Sequence, residues 1–118
     1  MSFIHFTIGE FACKCGCGAN RIDEELVRRL DWIRAAYYPW TLNVSSGYRC
    51  AARDRAVGGN GNHPTGLAAD LIVSKGARLR DFILACHAAG IPRIVLYHNL
   101  PHVHVDMVPN RPEGIYIR

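Results

Sequence analysis

His63-Pro64-Thr65-Gly66-Leu67-Ala68-Ala69-Asp70-Leu71-Ile72-Val73, read together with His102-Val103-His104-Val105-Asp106, is the part of the chain around which the rest can be ordered. The second stretch alternates strictly from His102 to Asp106. A strand's period of two puts His102, His104 and Asp106 on one face, with Val103 and Val105 on the other, so one strand offers three polar groups to a cleft. In the first stretch the apolar run Leu71-Ile72-Val73 has strand character, and Asp70 then shares a face with Ala68 and Ile72. The small alanine leaves room for a metal and a substrate close to the sheet. Pro64 and Gly66 mark a turn, which lets the chain fold back and brings the His63 imidazole beside the Asp70 carboxylate. Two imidazoles and one carboxylate, with a fourth position left to water, are the ligand count of a catalytic rather than a structural zinc site. The set these residues suggest is His63, Asp70 and His104, holding one zinc ion. His-X-His on a strand is by itself equally an ordinary half-exposed pair, and the joint pattern is what points to a metal.

Ahead of these stretches stand Ser45-Ser46-Gly47-Tyr48-Arg49 and Val57-Gly58-Gly59. With them, the sequence from about Phe11 to Asp106 resembles the zinc peptidases that cut peptidoglycan stem peptides. These are the D-alanyl-D-alanine carboxypeptidases and L-alanyl-D-glutamate endopeptidases of bacteria and phages, which share a fold with the hedgehog signalling domain. The resemblance implies zinc-dependent hydrolysis of an amide bond in stem peptides, as endopeptidase or D,D-carboxypeptidase, in endolysin-like lysis or wall remodelling. It implies His63, Asp70 and His104 as ligands, His102 as the catalytic base, and Arg49 as the group that holds a substrate carbonyl or carboxylate. Two departures bear on the cleft's outline rather than on the metal. Gly61 stands where the family usually has serine, in a loop from Val57 to Asn62 that looks shortened, and Asp54 stands where asparagine is common.

The residue types suit that chemistry. A base must take a proton from water and pass it to the leaving amine, and His102 lies two residues from a ligand on the same strand face. A planar guanidinium such as that of Arg49 suits both an oxyanion and a carboxylate. Asp106 is placed to orient one of the histidines from behind. The competing readings are a zinc-stabilised cell-wall-binding module without hydrolysis, which would have no need of His102, and a phage structural module built on the same fold. Carboxypeptidase action needs a pocket closed around a terminal carboxylate and endopeptidase action a groove open at both ends; the short glycine-rich loop favours the groove.

The chain has 118 residues, 49% hydrophobic and 20% charged, which suits a single zinc peptidase domain over residues 1–118 with no room for a separate wall-binding module. The net charge of +4 comes from scattered basic residues, without the runs or aromatic ladders that track phosphates, so nucleic acid is not the expected partner. A mildly basic surface equally suits an anionic polymer such as the bacterial wall. No stretch approaches the roughly 20 apolar residues of a membrane span, and Met1 to Glu10 has no export-signal pattern. The expectation is a soluble monomer, cytoplasmic until release.

Asp23 reads as a helix N-cap with Glu24 and Glu25 in the first turn. Leu26, Val27, Leu30, Ile33 and Tyr37 follow at helical spacing, and Pro39 ends the helix. Leu42-Asn43-Val44-Ser45 reads as a strand that delivers Arg49, and Ala51 to Val57 as a short helix. A second main helix spans Leu79 to Ala89, with Leu79, Phe82, Ile83 and Cys86 inward and Gly90 as its stop. Ile94-Val95-Leu96-Tyr97 is a buried strand, joined by His98-Asn99-Leu100-Pro101 to the His102 strand and therefore antiparallel to it. Ile115 to Ile117 adds an edge strand. Trp32 and Trp40 are core or rim residues, His5, His87 and His98 are bystanders, and Tyr97 belongs to the core or reaches the cleft. The fold predicted is α+β, a small antiparallel sheet with two main helices packed on it and the zinc cleft on its open face. Cys13, Cys15 and Cys17 fit three states: a second metal site completed by Cys50 or Cys86, a disulfide, or reduced thiols.

Overall fold

A computed structural model describes residues 3–36, 38–98 and 101–118 of the chain. Tyr37 of the predicted helix face and Asn99 and Leu100 of the predicted turn lie outside the described residues, as do Met1 and Ser2 at the start of the N-terminal segment. Strands β1 (Asn43–Ser46), β2 (Ala68–Ile72), β3 (Arg93–Leu96), β4 (His102–Asp106) and β5 (Gly114–Ile117) form one sheet in the order β1-β2-β4-β3-β5. Helices α1 (Glu24–Ala36) and α3 (Ala77–Ala88) are the two longer ones, and α2 (Ala51–Ala56) is a short one after β1. The α+β architecture is the one predicted.

Local chemistry explains the helices. Asp23 Oδ1 accepts the backbone N–H groups of Glu25 at 2.8 Å and Leu26 at 3.3 Å, which caps α1. Leu26, Val27, Leu30 and Ile33 recur at helical spacing and are fully buried. Each such side chain stabilises the fold by roughly 1.5–3 kcal/mol relative to exposure. On α3, Phe82, Ala85 and Cys86 are buried, with Leu79 and Ile83 packed beside them. Both helices share their core with Ala69, Leu71, Val103, Val105 and Ile94, the apolar positions of β2, β4 and β3. Trp40 lies at the core's edge, in a T-shaped contact with Tyr38, and Trp32 is partly exposed. Among the described residues no helix is long and apolar enough to cross a membrane.

Through β1, β2, β4 and β3 the sheet is antiparallel, and β5 then lies parallel to β3. The reason is where the chain turns. β4 ends beside the start of β3, with Arg93 opposite Asp106, and after residues 107–113 the chain enters β5 at that same end, with Gly114 opposite Arg93. The two strands must therefore run the same way.

Gly47 fixes how β1 hands over to α2. A Cβ at this position would come within 2.6 Å of the Cα and carbonyl oxygen of Phe11, at the end of the 3₁₀ turn Ile8–Phe11. Tyr48 N–H donates to that same carbonyl at 2.8 Å. Only glycine permits the approach.

Candidate active site

Residues directly opposite one another in a sheet share a face. Asp70 of β2 is paired with His104 of β4 and also with Ser46 of β1, and His104 is paired with Val95 of β3. This row crosses the face opposite to the one that packs on α1 and α3. His102 and Asp106 stand on it opposite Ile72 and Ala68. His63 arrives from outside the sheet as the first residue of the 3₁₀ turn His63–Thr65, which has Pro64 in its opening positions and closes at Gly66 with φ 79°. Nearly buried, it lies with Nε2 3.3 Å from Asp70 Oδ2, and His104 Nδ1 lies 3.0 Å from Asp70 Oδ1. The ligand atoms of His63, Asp70 and His104 are all within 4.8 Å of one another.

The outer nitrogens of the two rings are already engaged. His63 Nδ1 donates to the Gly47 carbonyl at 2.7 Å, since a carbonyl can only accept, and this directs Nε2 at Asp70. His104 Nε2 donates to Asp106 Oδ2 at 2.7 Å, which directs Nδ1 at Asp70 Oδ1, 3.0 Å away. Two imidazole nitrogens and a carboxylate, with both rings fixed from behind, fit a zinc ion. Burial alone would raise the Asp70 pKa, but the hydrogen bonds and charge of His104 and His63 outweigh it and hold the carboxyl well below the usual carboxylate range. Burial would lower the His104 pKa, and the hydrogen bonds to Asp106 and Asp70 outweigh it and raise it.

Asp106, fully buried, is itself paired with Arg93 Nε at 3.2 Å, and its Oδ1 accepts Val108 N–H at 3.2 Å. Arg93 also donates from Nη1 to the Pro112 carbonyl at 3.3 Å, and its guanidinium stacks 4.8 Å from the Tyr116 ring centroid. Sequence reasoning missed Arg93. The signal was a basic residue opening an otherwise apolar run, Arg93-Ile94-Val95-Leu96.

His102 is exposed, on the rim rather than among the buried groups. Its Nδ1 lies 3.2 Å from Ser45 Oγ, whose hydroxyl donates to the Asp70 carbonyl at 3.2 Å. With that single proton committed, Ser45 accepts from His102 Nδ1–H. Ser45 sits where the β1–β2 register shifts between Val44 and Ser46, an extra residue of the kind that re-aims a side chain beside a site. Arg49 Nε pairs with Asp54 Oδ1 at 3.1 Å, a contact that leaves out the two terminal nitrogens of the fork. Asp54 Oδ2 accepts Gly61 N–H at 3.0 Å, so the two positions at which the chain departs from the pattern it resembles are bonded to each other.

The buried pair and Asp70 line a cleft of about 310 Å³, together with Arg49, Tyr97 and Arg118. A second depression, of about 340 Å³, holds Ser45, His102 and Lys14 and shares Arg49, Val57 and Asp70 with the first. Tyr97 reaches the cleft, half-buried; burial and the charge of Asp70 push its pKa up, so its phenol stays protonated at neutral pH. Arg118 is brought there by β5, where its N–H donates to the Leu96 carbonyl at 2.8 Å. Nothing local marked Arg118, because its place depends on how β5 pairs. His5, His87 and His98 are exposed and lie outside both cavities.

The sequence model of one protein family, described as Peptidase M15, matches residues 4–106, a span that contains every residue of the centre. No curated protein sequence matches the chain.

Proposed function

The chain belongs to the Peptidase M15 family of zinc-dependent peptidases, and on that premise we propose that it cuts an amide bond within the stem peptides of bacterial peptidoglycan. His63, Asp70 and His104 would hold the one catalytic zinc, in a single domain spanning residues 1–118. The observation that carries this reading is the orientation of the two imidazoles. Each turns one ring nitrogen toward Asp70 while Gly47 or Asp106 holds the other. Incidental histidines have no reason to be tied down on the side away from a shared carboxylate.

Zinc, when bound, lowers the pKa of a water molecule to about 7 and polarises a carbonyl. The chain's own groups supply the rest. His102 takes a proton at Nε2 and gives it to the leaving amine, with Ser45 holding the tautomer this requires. Arg49 meets the developing oxyanion or a substrate carboxylate with its terminal nitrogens while Asp54 anchors Nε. Tyr97, kept protonated, donates a hydrogen bond from the floor of the cleft. The two depressions meet at Asp70, so a peptide passing the ligands has room for residues on both sides of the reacting carbonyl. That favours endopeptidase over carboxypeptidase action. Lys14, Arg49, Arg53 and Arg118 around the cavities complement the carboxylates of a stem peptide.

The test is digestion of purified peptidoglycan with and without a chelator, followed by mass identification of the released ends. New internal amino termini that vanish with chelator and return with zinc are expected. Release of free D-alanine alone would make the protein a carboxypeptidase, and no cleavage by zinc-loaded protein would leave a wall-binding module.

A further inference from the structure

Away from the histidine centre, the fold gathers a second set of donor atoms. Cys13, Cys15 and Cys17 come from the loop after the 3₁₀ turn Ile8–Phe11, and Cys50 is the residue that caps α2. Their four Sγ atoms lie within 4.8 Å of one another. Cys86 takes no part, being buried in the apolar core on α3.

The spacing discriminates between the chemistries open to such a cluster. Cys13 and Cys15 Sγ are 3.5 Å apart, and Cys15 and Cys50 Sγ are 3.7 Å apart. A disulfide needs about 2.05 Å. Four sulfurs at about 2.3 Å around one zinc ion stand roughly 3.8 Å from each other along the edges of the tetrahedron. The observed separations are close to that edge.

The surrounding backbone agrees. Cys50 N–H points at Cys13 Sγ at 3.4 Å, Arg53 N–H at Cys50 Sγ at 3.4 Å, and Ala19 N–H at Cys17 Sγ at 3.5 Å. A thiol is a weak acceptor, whereas a metal-bound thiolate carries charge and gains from such donors. Gly16 and Gly18 alternate with the cysteines at φ 89° and 76°, a left-handed backbone that curls the loop around one point. Cys13 N–H closes the loop on the Ala19 carbonyl at 3.0 Å.

We propose that Cys13, Cys15, Cys17 and Cys50 bind a second zinc ion, in a closed tetrahedral site separate from His63, Asp70 and His104. Four thiolates complete the coordination shell and leave no position for water, so the role is structural. The ion ties the N-terminal loop to Cys50, next to Arg49, and so fixes two cations of the cleft wall, Lys14 and Arg49. This assignment stands whether or not the histidine centre is a peptidase.

The experiment is a zinc count on the full chain purified under reducing conditions, paired with cobalt substitution. Wild type is expected to hold two zinc ions, and a His63→Ala/His104→Ala variant one. Cobalt in that variant should give the intense thiolate-to-metal charge-transfer absorption of a sulfur site. Cys15→Ser/Cys17→Ser should hold one ion and lose that absorption. Should the cysteine variant fail to fold, titration of folded wild type with a mercurial reagent must release one zinc per chain to a metallochromic indicator. A wild type with one zinc, a histidine variant with none and no thiolate absorption would overturn the proposal. So would a Cys13–Cys15 or Cys15–Cys50 disulfide found by mass in the freshly purified chain.

Discussion

Asp106→Asn separates two jobs that the fold gives to one carboxylate. Asp106 is fully buried; Oδ2 accepts from His104 Nε2 at 2.7 Å and pairs with Arg93 Nε at 3.2 Å. Asparagine keeps the shape and an acceptor oxygen but removes the charge. Arg93, whose side chain is only 6% exposed, would retain the Pro112 carbonyl at 3.3 Å and the Tyr116 face. Removing one partner of a buried ion pair costs about 3–5 kcal/mol. The retained contacts, and the relief of the carboxylate's own desolvation, put the loss near the lower end, about 3 kcal/mol. That is a large share of the roughly 5–15 kcal/mol that stabilises a small domain. The histidine centre loses, in addition, the charge behind His104 that makes it more basic. Its zinc affinity is expected to fall about 10–100-fold. Urea unfolding of chelator-treated protein measures the first effect, and competition with a chelating indicator measures the second. Adding Arg93→Met to Asp106→Asn removes the stranded guanidinium, so stability should return in part while zinc affinity stays low. Wild-type stability together with wild-type zinc affinity in Asp106→Asn would refute the reasoning.

Three further outcomes follow from the site. His102→Ala should lower turnover by about 10²–10⁴ with the zinc content unchanged, and Ser45→Ala by less, since the ring remains but its tautomer is released; steady-state kinetics beside metal analysis decides. The raised His104 pKa predicts opposite pH trends with and without metal. In chelator-treated protein its protonation stabilises the fold fully below the ordinary value of 6.5, and that contribution is lost as pH rises through the raised value. Zinc must displace the same proton, so zinc affinity should fall as pH drops through that value, with proton release measurable by calorimetry in two buffers. Asp54→Asn breaks the Arg49 ion pair but keeps an acceptor for Gly61, so a stability loss of about 1–3 kcal/mol and a raised KM are expected; a KM unchanged for carboxylate-bearing substrates would remove Arg49 from their recognition.

The elements that sequence reasoning located are those whose cause is local. Asp23 caps α1 with its own side chain, and the α1 core positions repeat every three or four residues. The alternation of His102 to Asp106 places three polar groups on one face whatever the strand pairs with. Pro64 and Gly66 sit in the turn that returns His63 to Asp70, now seen at 3.3 Å.

What the sequence determined by itself, then, was the content of the main helices and strands and the candidate donor set His63, Asp70 and His104, because periodicity, caps and ligand chemistry act over a few residues. Tertiary structure alone decided the residues behind and around that set. Arg93 meets Asp106 only through the β3–β4 register, Ser45 meets His102 only through the irregularity in β1, and Arg118 enters the cleft only because β5 lies parallel to β3. Cys50 rather than Cys86 joins the N-terminal cysteines for the same reason. Each is a contact between segments far apart in the chain, and which segments meet is set by burial of the apolar faces of the whole sheet and its helices, a sum that no short stretch contains.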